Sequence, residues 1–239
     1  MDSCERASSA AVAAEATRER GDVSHRRIVL LGPPGSGKGT AAQALSEQLA
    51  IPHVSTGQMF RETVRKGGPI GESARQFIDN GQLVPDEITI EIVRMWLDEH
   101  AGGQEFIFDG FPRTRPQAEA FDRLLAERGT PITMAILLDV SGAEIFERIL
   151  GRLSCEKCGA LYHVTRMRPR RDGICDKCGG KLVRRADDNE ATIRERIRIY
   201  QELTLGVIDY YEQRGVLSCV DGSGLKDKAF SAIMELVES

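Results

Sequence analysis

The chain lacks any apolar run approaching the roughly 20 residues that span a bilayer, so no transmembrane helix is expected. It also lacks a charge excess. Its 32 Lys and Arg stand against 36 Asp and Glu, a formal net charge of −4, which leaves no global electrostatic case for binding nucleic acid or a membrane surface. Aromatic residues make up only 5%, which leaves little material for stacking bases. No internal repeat occurs, and no Asn-Lys-x-Asp stretch of the kind that reads guanine is present, which disfavours a switch GTPase. What remains, 41% hydrophobic and 28% charged residues over 239 positions, is ordinary for a soluble globular chain with one sizeable core and an insertion, or two small domains.

Residues 1–25 are Ala-rich and of mixed charge, without the apolar centre of a secretory signal. Glu5, Glu15, Glu19 and Asp22 also argue against a transit peptide, which is poor in acids. The expectation is a disordered or loosely helical extension.

Cysteine is sparse but patterned. Of six cysteines, four form Cys155-x-x-Cys158 and Cys175-x-x-Cys178, with sixteen residues between the two motifs and each followed by Gly (Gly159, Gly179), and Cys4 and Cys219 lie outside these motifs. Two such knuckles at that spacing read as a four-thiolate zinc ribbon in a reducing compartment, not as a disulfide framework. Four protein ligands close the coordination shell and leave no place for water, so the metal is expected to be structural; iron is the alternative occupant.

The strongest single stretch is Arg27-Ile28-Val29-Leu30-Leu31 followed by Gly32-Pro33-Pro34-Gly35-Ser36-Gly37-Lys38-Gly39-Thr40. It reads as a short strand, a glycine-rich turn and the start of a helix, close to the phosphate-loop spacing G-x-x-x-x-G-K-[ST]. Gly39 stands where the pattern has Ser or Thr, with Thr40 one residue later. Glycines let backbone N–H groups turn toward a phosphate, the helix adds its positive end, and Lys38 adds a compact charge.

Alternating strand and helix signals predict a parallel sheet covered by helices. Strands are expected at 27–31, 53–55, 105–109, 133–139 and 216–220. Helices are expected at 38–49, 57–66, 70–79, 86–99, 115–128, 142–151, 189–213 and 226–237, with Thr114/Gln117 and Ser141/Glu144 fitting capping boxes. From about 152 to 188 the alternation fails, as in a functional insertion. Asp109 ends an apolar strand, where ligands of open parallel sheets bind, and an acid there can hold magnesium through water. Arginines that stabilise transferring phosphoryl charge are candidates at Arg61, Arg113, Arg148, Arg152, Arg185 and Arg196. A phosphate-loop protein whose ribbon docks on nucleic acid is the rival reading. The basic stretch Arg166 to Arg171 favours it, and the lone aromatic of the insertion, Tyr162, argues against it.

Together these motifs, with His53-Val54-Ser55-Thr56-Gly57, Gly81-Gln82-Leu83-Val84-Pro85-Asp86, Asp109-Gly110-Phe111-Pro112-Arg113-Thr114 and Arg185-Ala186-Asp187-Asp188-Asn189, resemble the adenylate kinase family, in its long-lid, zinc-carrying form. The likeness runs from residue 27 to 238, and Gly-Lys-Gly-Thr is the usual ending of the loop in nucleoside monophosphate kinases. It implies an α/β phosphate-loop fold of three layers with a five-stranded parallel sheet. The kinase domain would span 26–239, with a core (26–55, 86–151, 190–239), an AMP-binding flap (56–85) and a zinc lid (152–189). The implied reaction is MgATP plus AMP to two ADP, by a cytoplasmic monomer with no nucleic-acid or membrane partner.

By the same likeness, Gly35, Ser36, Gly37, Lys38, Gly39 and Thr40 hold the donor phosphates, and Thr40 and Asp109 position magnesium. Arg148 lies against the donor adenine, and the backbone near Gly224 contacts that base. Thr56, Arg61, Gly110, Arg113 and Gln117 form the acceptor site, lined also by Gln82, Leu83 and Val84. Arg152, Arg185 and Arg196 close on the phosphates, the last two reaching AMP as well. One departure is Gln58, where the family has an Asp thought to help hold the magnesium water shell, so weaker magnesium affinity is expected.

Overall fold

A computed structural model describes residues 25–100, 105–224 and 226–238. The extension expected at 1–25 thus lies, but for its last residue, outside the described residues. Five strands form one parallel sheet: β1 (Arg27–Leu31), β2 (His53–Ser55), β3 (Phe106–Asp109), β4 (Met134–Asp139) and β5 (Leu217–Asp221), in the order β2-β3-β1-β4-β5.

β1 is central and buried at every position, because helices cover both faces of the sheet and an apolar run can satisfy both. Val29 and Leu31 face one core with Phe106, Phe108, Phe121 and Tyr211. Ile28 and Leu30 face the other with Ala42, Leu45, Ile233 and Met234. The first core is closed by α4 (Asp86–Glu99), α5 (Arg115–Glu127) and α8 (Leu205–Gln213), the second by α1 (Lys38–Leu49) and α9 (Lys226–Glu238). This is the expected three-layer α/β arrangement.

The other helices flank the sheet's C-terminal edge. α2 (Thr56–Lys66) and α3 (Pro69–Asp79) pack with α4 around Phe60, Ala74 and Val84. α6 (Gly142–Leu150) leads into the cysteine-rich insertion, which contains a three-stranded antiparallel sheet, with Arg152–Cys155 between Leu161–His163 and Leu182–Val183. α7 (Glu190–Ile199) leads out of it.

Two expectations need correction. The single helix expected at 189–213 is divided by a π-helical turn, Tyr200–Thr204. At its end Thr204 Oγ1 donates to the backbone carbonyl of Arg113 at 2.9 Å, a tertiary partner that local periodicity does not reveal. Ser141 precedes α6 but its side chain makes no capping bond, and Glu144, which would complete the box, accepts instead from Arg148 and Arg166. Thr114 does cap α5, accepting from the Gln117 N–H at 3.2 Å.

Candidate active site

The parallel register brings the strand ends together: Leu30 lies opposite Asp109, and Asp109 opposite Ser55. The loop 32–37 and the carboxylate therefore share one edge. A cavity of about 980 Å³ opens there, and a second of about 70 Å³ adjoins it through Gly57, Arg61, Gly110, Arg113 and Arg196. Every nucleotide-site residue expected from the sequence lines one or the other, and of the four metal-site cysteines only Cys158 does. Thr56, Gln82, Val84 and Gln117 line only the smaller, and the phosphate loop, Asp109, Arg148, Arg152, Arg185 and Gly224 only the larger.

The loop is built by close approach. A Cβ on Gly32, at φ +139°, would lie 2.4 Å from the Leu138 carbonyl oxygen. Gly37 starts α1 without a side-chain cap, so the first N–H groups of the helix stay open to an anion. Gly39, the apparent flaw in the motif, has a spatial reason: a Cβ there would meet Asp109 Oδ2 at 3.1 Å and Leu161 Cδ1 at 3.3 Å.

Lys38 Nζ curls onto its own loop, donating to the carbonyls of Gly32 (2.7 Å) and Pro33 (2.8 Å) and to Ser36 Oγ (3.2 Å). Burial, with Arg113 and Arg152 nearby, pushes it down to about 8 against the support of Asp109. Asp109 is largely covered, which works against its charge, yet His53, Lys38 and Arg113 hold it below the usual carboxylate range. His53 Nε2 is 3.8 Å from Asp109 Oδ2, an electrostatic contact too long for a hydrogen bond.

The pH consequence follows in sign. Above pH 8 the free protein loses the Lys38 charge, so kcat/KM for ATP, which reports the free enzyme, falls with rising pH. The same shift makes the unfolded chain hold the extra proton between about pH 8 and 10, so this group adds stability as pH rises and its deprotonation does not unfold the protein. A pH–rate profile flat to pH 9 would contradict the assignment.

Cations crowd the middle of the cleft. Burial and mutual repulsion push Arg61 down to about 10 and Arg185 and Arg196 down to about 9. Arg185 Nε is buried with no hydrogen-bond partner. Such a cluster is matched by an anion, and several phosphates would relieve it. Asp187 and Asp188 hold the others: Arg152 forks onto Asp188, with Nε at 2.9 Å from Oδ2, and Arg196 pairs with Asp187 and, at 3.4 Å, with Asp188. These acids stood inside a recognised motif without a role, and the only signal was their position beside Arg185.

In the smaller cavity, Thr56 Oγ1 donates to the Gly110 carbonyl at 3.0 Å and Arg113 Nε to the same oxygen at 2.7 Å. Gln117 is 2% exposed. Its Oε1 accepts from the Arg113 N–H at 2.8 Å and its Nε2 donates to Asp86 Oδ1 at 2.6 Å. The expected box is thus displaced by one residue, from the Thr114 to the Arg113 N–H.

The insertion lies over the cleft. Leu161 covers Gly39, Lys177 pairs with Glu47, Gln58 packs against Gly159, and Arg65 Nη1 donates to the Glu156 carbonyl at 3.2 Å. Gln58 Nε2 donates to Glu62 at 3.0 Å. Of the basic stretch, Arg166 pairs with Glu144 and Glu147, and Arg168 bonds the Val164 carbonyl.

The four cysteine sulfurs lie within 4.8 Å of one another, with Cys155–Cys178 at 3.5 Å and Cys158–Cys175 at 3.6 Å. A tetrahedral zinc at about 2.3 Å from each thiolate needs sulfurs roughly 3.8 Å apart, so the set fits a structural zinc. No helix among the described residues is long and apolar enough to cross a membrane.

Comparison with known proteins agrees with this geometry. Residues 30–216 match the family model described as adenylate kinase. The chain is similar to the adenylate kinase of Moorella thermoacetica (49% identical over 197 residues, 82% of this chain and 91% of that protein). It is also similar to those of Clostridium tetani (46% over 210 residues, 88% and 97%) and Archaeoglobus fulgidus (46% over 217 residues, 89% and 99%).

Proposed function

The chain belongs to the adenylate kinase family, and from that premise we propose which of its residues perform the reversible transfer of a phosphoryl group from ATP to AMP that gives two ADP. An AMP phosphate oxygen forms a bond to the γ-phosphorus as the bond to the β-bridging oxygen breaks, with no covalent intermediate on the protein. Such a transfer asks little of the enzyme beyond position and charge. The observation that carries the assignment is Lys38 and a cluster of arginines, most of them half-buried, around one cavity, one of them with an unpartnered buried nitrogen.

In this reading residues 35–40, with the uncapped N–H groups at the start of α1, and Lys38 take the donor phosphates, and Arg148 with the Gly224 backbone takes the donor base. Arg61 and Arg113 hold the AMP phosphate, while Thr56, Gln82, Leu83, Val84, Gly110 and Gln117 line its base and sugar. Arg152, Arg185 and Arg196 lie where charge spreads in the transition state. Asp109 and Thr40 are the residues that would hold the magnesium of MgATP, whose charge would offset that of the phosphates. Residues 56–85 act as the flap and 152–189 as the lid, and their closure keeps out water, the competing acceptor. We read the protein as a cytoplasmic monomer.

A coupled assay with ATP and each of AMP, GMP, CMP and UMP is expected to give ADP formation that depends on AMP; its absence would overturn the reading. Gln117→Ala is expected to raise KM for AMP about tenfold, the value of one to two lost hydrogen bonds, with KM for ATP little changed. Equal changes in both constants would reduce Gln117 to a strut between Arg113 and Asp86.

A further inference from the structure

One carboxylate outside the assigned residues touches three separate parts of the donor end. Glu144 lies in the first turn of α6, with its side chain 16% exposed. Its Oε1 accepts from Arg148 Nη2 at 2.8 Å and Nε at 3.2 Å, from Arg166 Nη1 at 2.7 Å, and more distantly from the Gly224 N–H at 3.4 Å. These donors come from the next turn of α6, from the cysteine-rich insertion and from the loop after β5. Glu144, Arg148, Arg166 and Gly224 all line the larger cavity.

The arrangement differs from a surface ion pair, which contributes little because water screens it and the side chains must be ordered. Here the carboxylate is mostly covered and shared by two guanidinium groups. Burial works to raise its pKa, but the hydrogen bonds from Arg166 and Arg148 outweigh that and hold it below the usual carboxylate range, so it is ionised at neutral pH. Arg148 has two further anchors, the carbonyls of Ser36 (3.0 Å) and Gly222 (2.7 Å). Among the described residues, the Arg166 guanidinium has Glu147 besides, at 3.0 Å and with a side chain 62% exposed, and its N–H donates to His163 Nδ1 at 3.1 Å. The turn carrying Arg166 is joined to the end of α6 by the Val164 N–H, which donates to the Gly151 carbonyl at 2.9 Å. Loss of Glu144 would therefore loosen the insertion's turn more than it displaces Arg148.

We propose that Glu144 is a positioning residue for donor-nucleotide binding: it orients the Arg148 guanidinium beside the phosphate loop and, by taking Arg166 on the same oxygen, ties the lid's 163–167 turn to the donor site. The proposal rests on the assignment of Arg148 to the donor base. A carboxylate that acts through two arginines affects ATP and not AMP, whereas a residue needed only for folding affects both.

The test is steady-state kinetics and melting temperature for Glu144→Gln, Glu144→Ala, Arg166→Gln, the double variant Glu144→Gln/Arg166→Gln, and Arg148→Ala. Glu144→Ala is expected to raise KM for ATP about tenfold and Glu144→Gln, which keeps an acceptor but not the charge, about threefold, with KM for AMP within about twofold. The double variant is expected to be no worse than the more affected single one, because the two residues share one interaction. An unchanged KM for ATP, equal rises in both constants, or multiplying effects in the double variant would overturn the proposal. If Glu144→Ala does not fold, Glu144→Gln and Arg166→Gln decide it. Arg148→Ala separates the two levels: if it leaves KM for ATP unchanged, the donor-site assignment itself fails.

Discussion

Lys38→Met lowers kcat by about a thousandfold while leaving the melting temperature within a few degrees. The rate loss follows from what the side chain offers: a cation enclosed by the loop, close enough to Asp109, Arg113 and Arg152 for their charges to be felt. Removal of one preorganised group that faces developing negative charge costs about 10²–10³ in rate, and a full charge in a covered site belongs at the upper end. Stability should hold because burial disfavours the Lys38 charge in the folded protein, and a methionine of similar length carries none. Measuring kcat and melting temperature on the same preparation separates the two effects. A rate loss under about tenfold would mean that the Lys38 charge is not used in the transition state.

The second large effect concerns the cysteines. Cys175→Ser should lower bound zinc from one per chain to near zero, expose 152–189 to proteolysis and reduce kcat at least tenfold. The buried apolar cluster around this metal set consists of Cys155, Ala160, Tyr162, Cys175 and Leu182, and two of those five are ligands. So small a core does not hold an independent fold without a staple, and a structural zinc supplies about 10–16 kcal/mol in isolated fingers at neutral pH. Arg152 and Arg185 sit at or near the ends of the strands that the metal organises, so activity would fall with lid order. Zinc content, protease sensitivity and kcat would be measured together. A zinc-free variant with an intact lid and full activity would remove the structural role.

Much of the sheet was readable in advance because a parallel strand buried on both faces must be apolar throughout, as Ile28 to Leu31 and Phe106 to Phe108 are. The loop at 32–40 was readable because phosphate binding demands glycine, lysine and a helix start in a fixed local order. Local signals failed where partners come from distant chain. Thr204 ends a π-turn under Arg113, which is 91 residues away, and nothing in the run from 189 to 213 announces it. Glu144 had the spacing of a cap, but Arg166, 22 residues on, takes its side chain. Asp187 and Asp188 had no role in the motif that contains them, and their partners Arg152 and Arg196 are set by the fold.

By itself, the sequence determined the sheet, the phosphate loop, the four thiolates and the family, because each rests on residues close in the chain or on a short motif with one chemical use. Tertiary structure alone decided that Gly39 leaves room for Asp109 and Leu161 beside the start of α1, that Gln117 braces Arg113 against Asp86, and that Glu144 joins the lid to Arg148. The physical reason is the same in each case. A side chain's partner is set by what the fold brings within about 3 Å of it, and hydrogen bonds at that range leave no periodic trace along the chain.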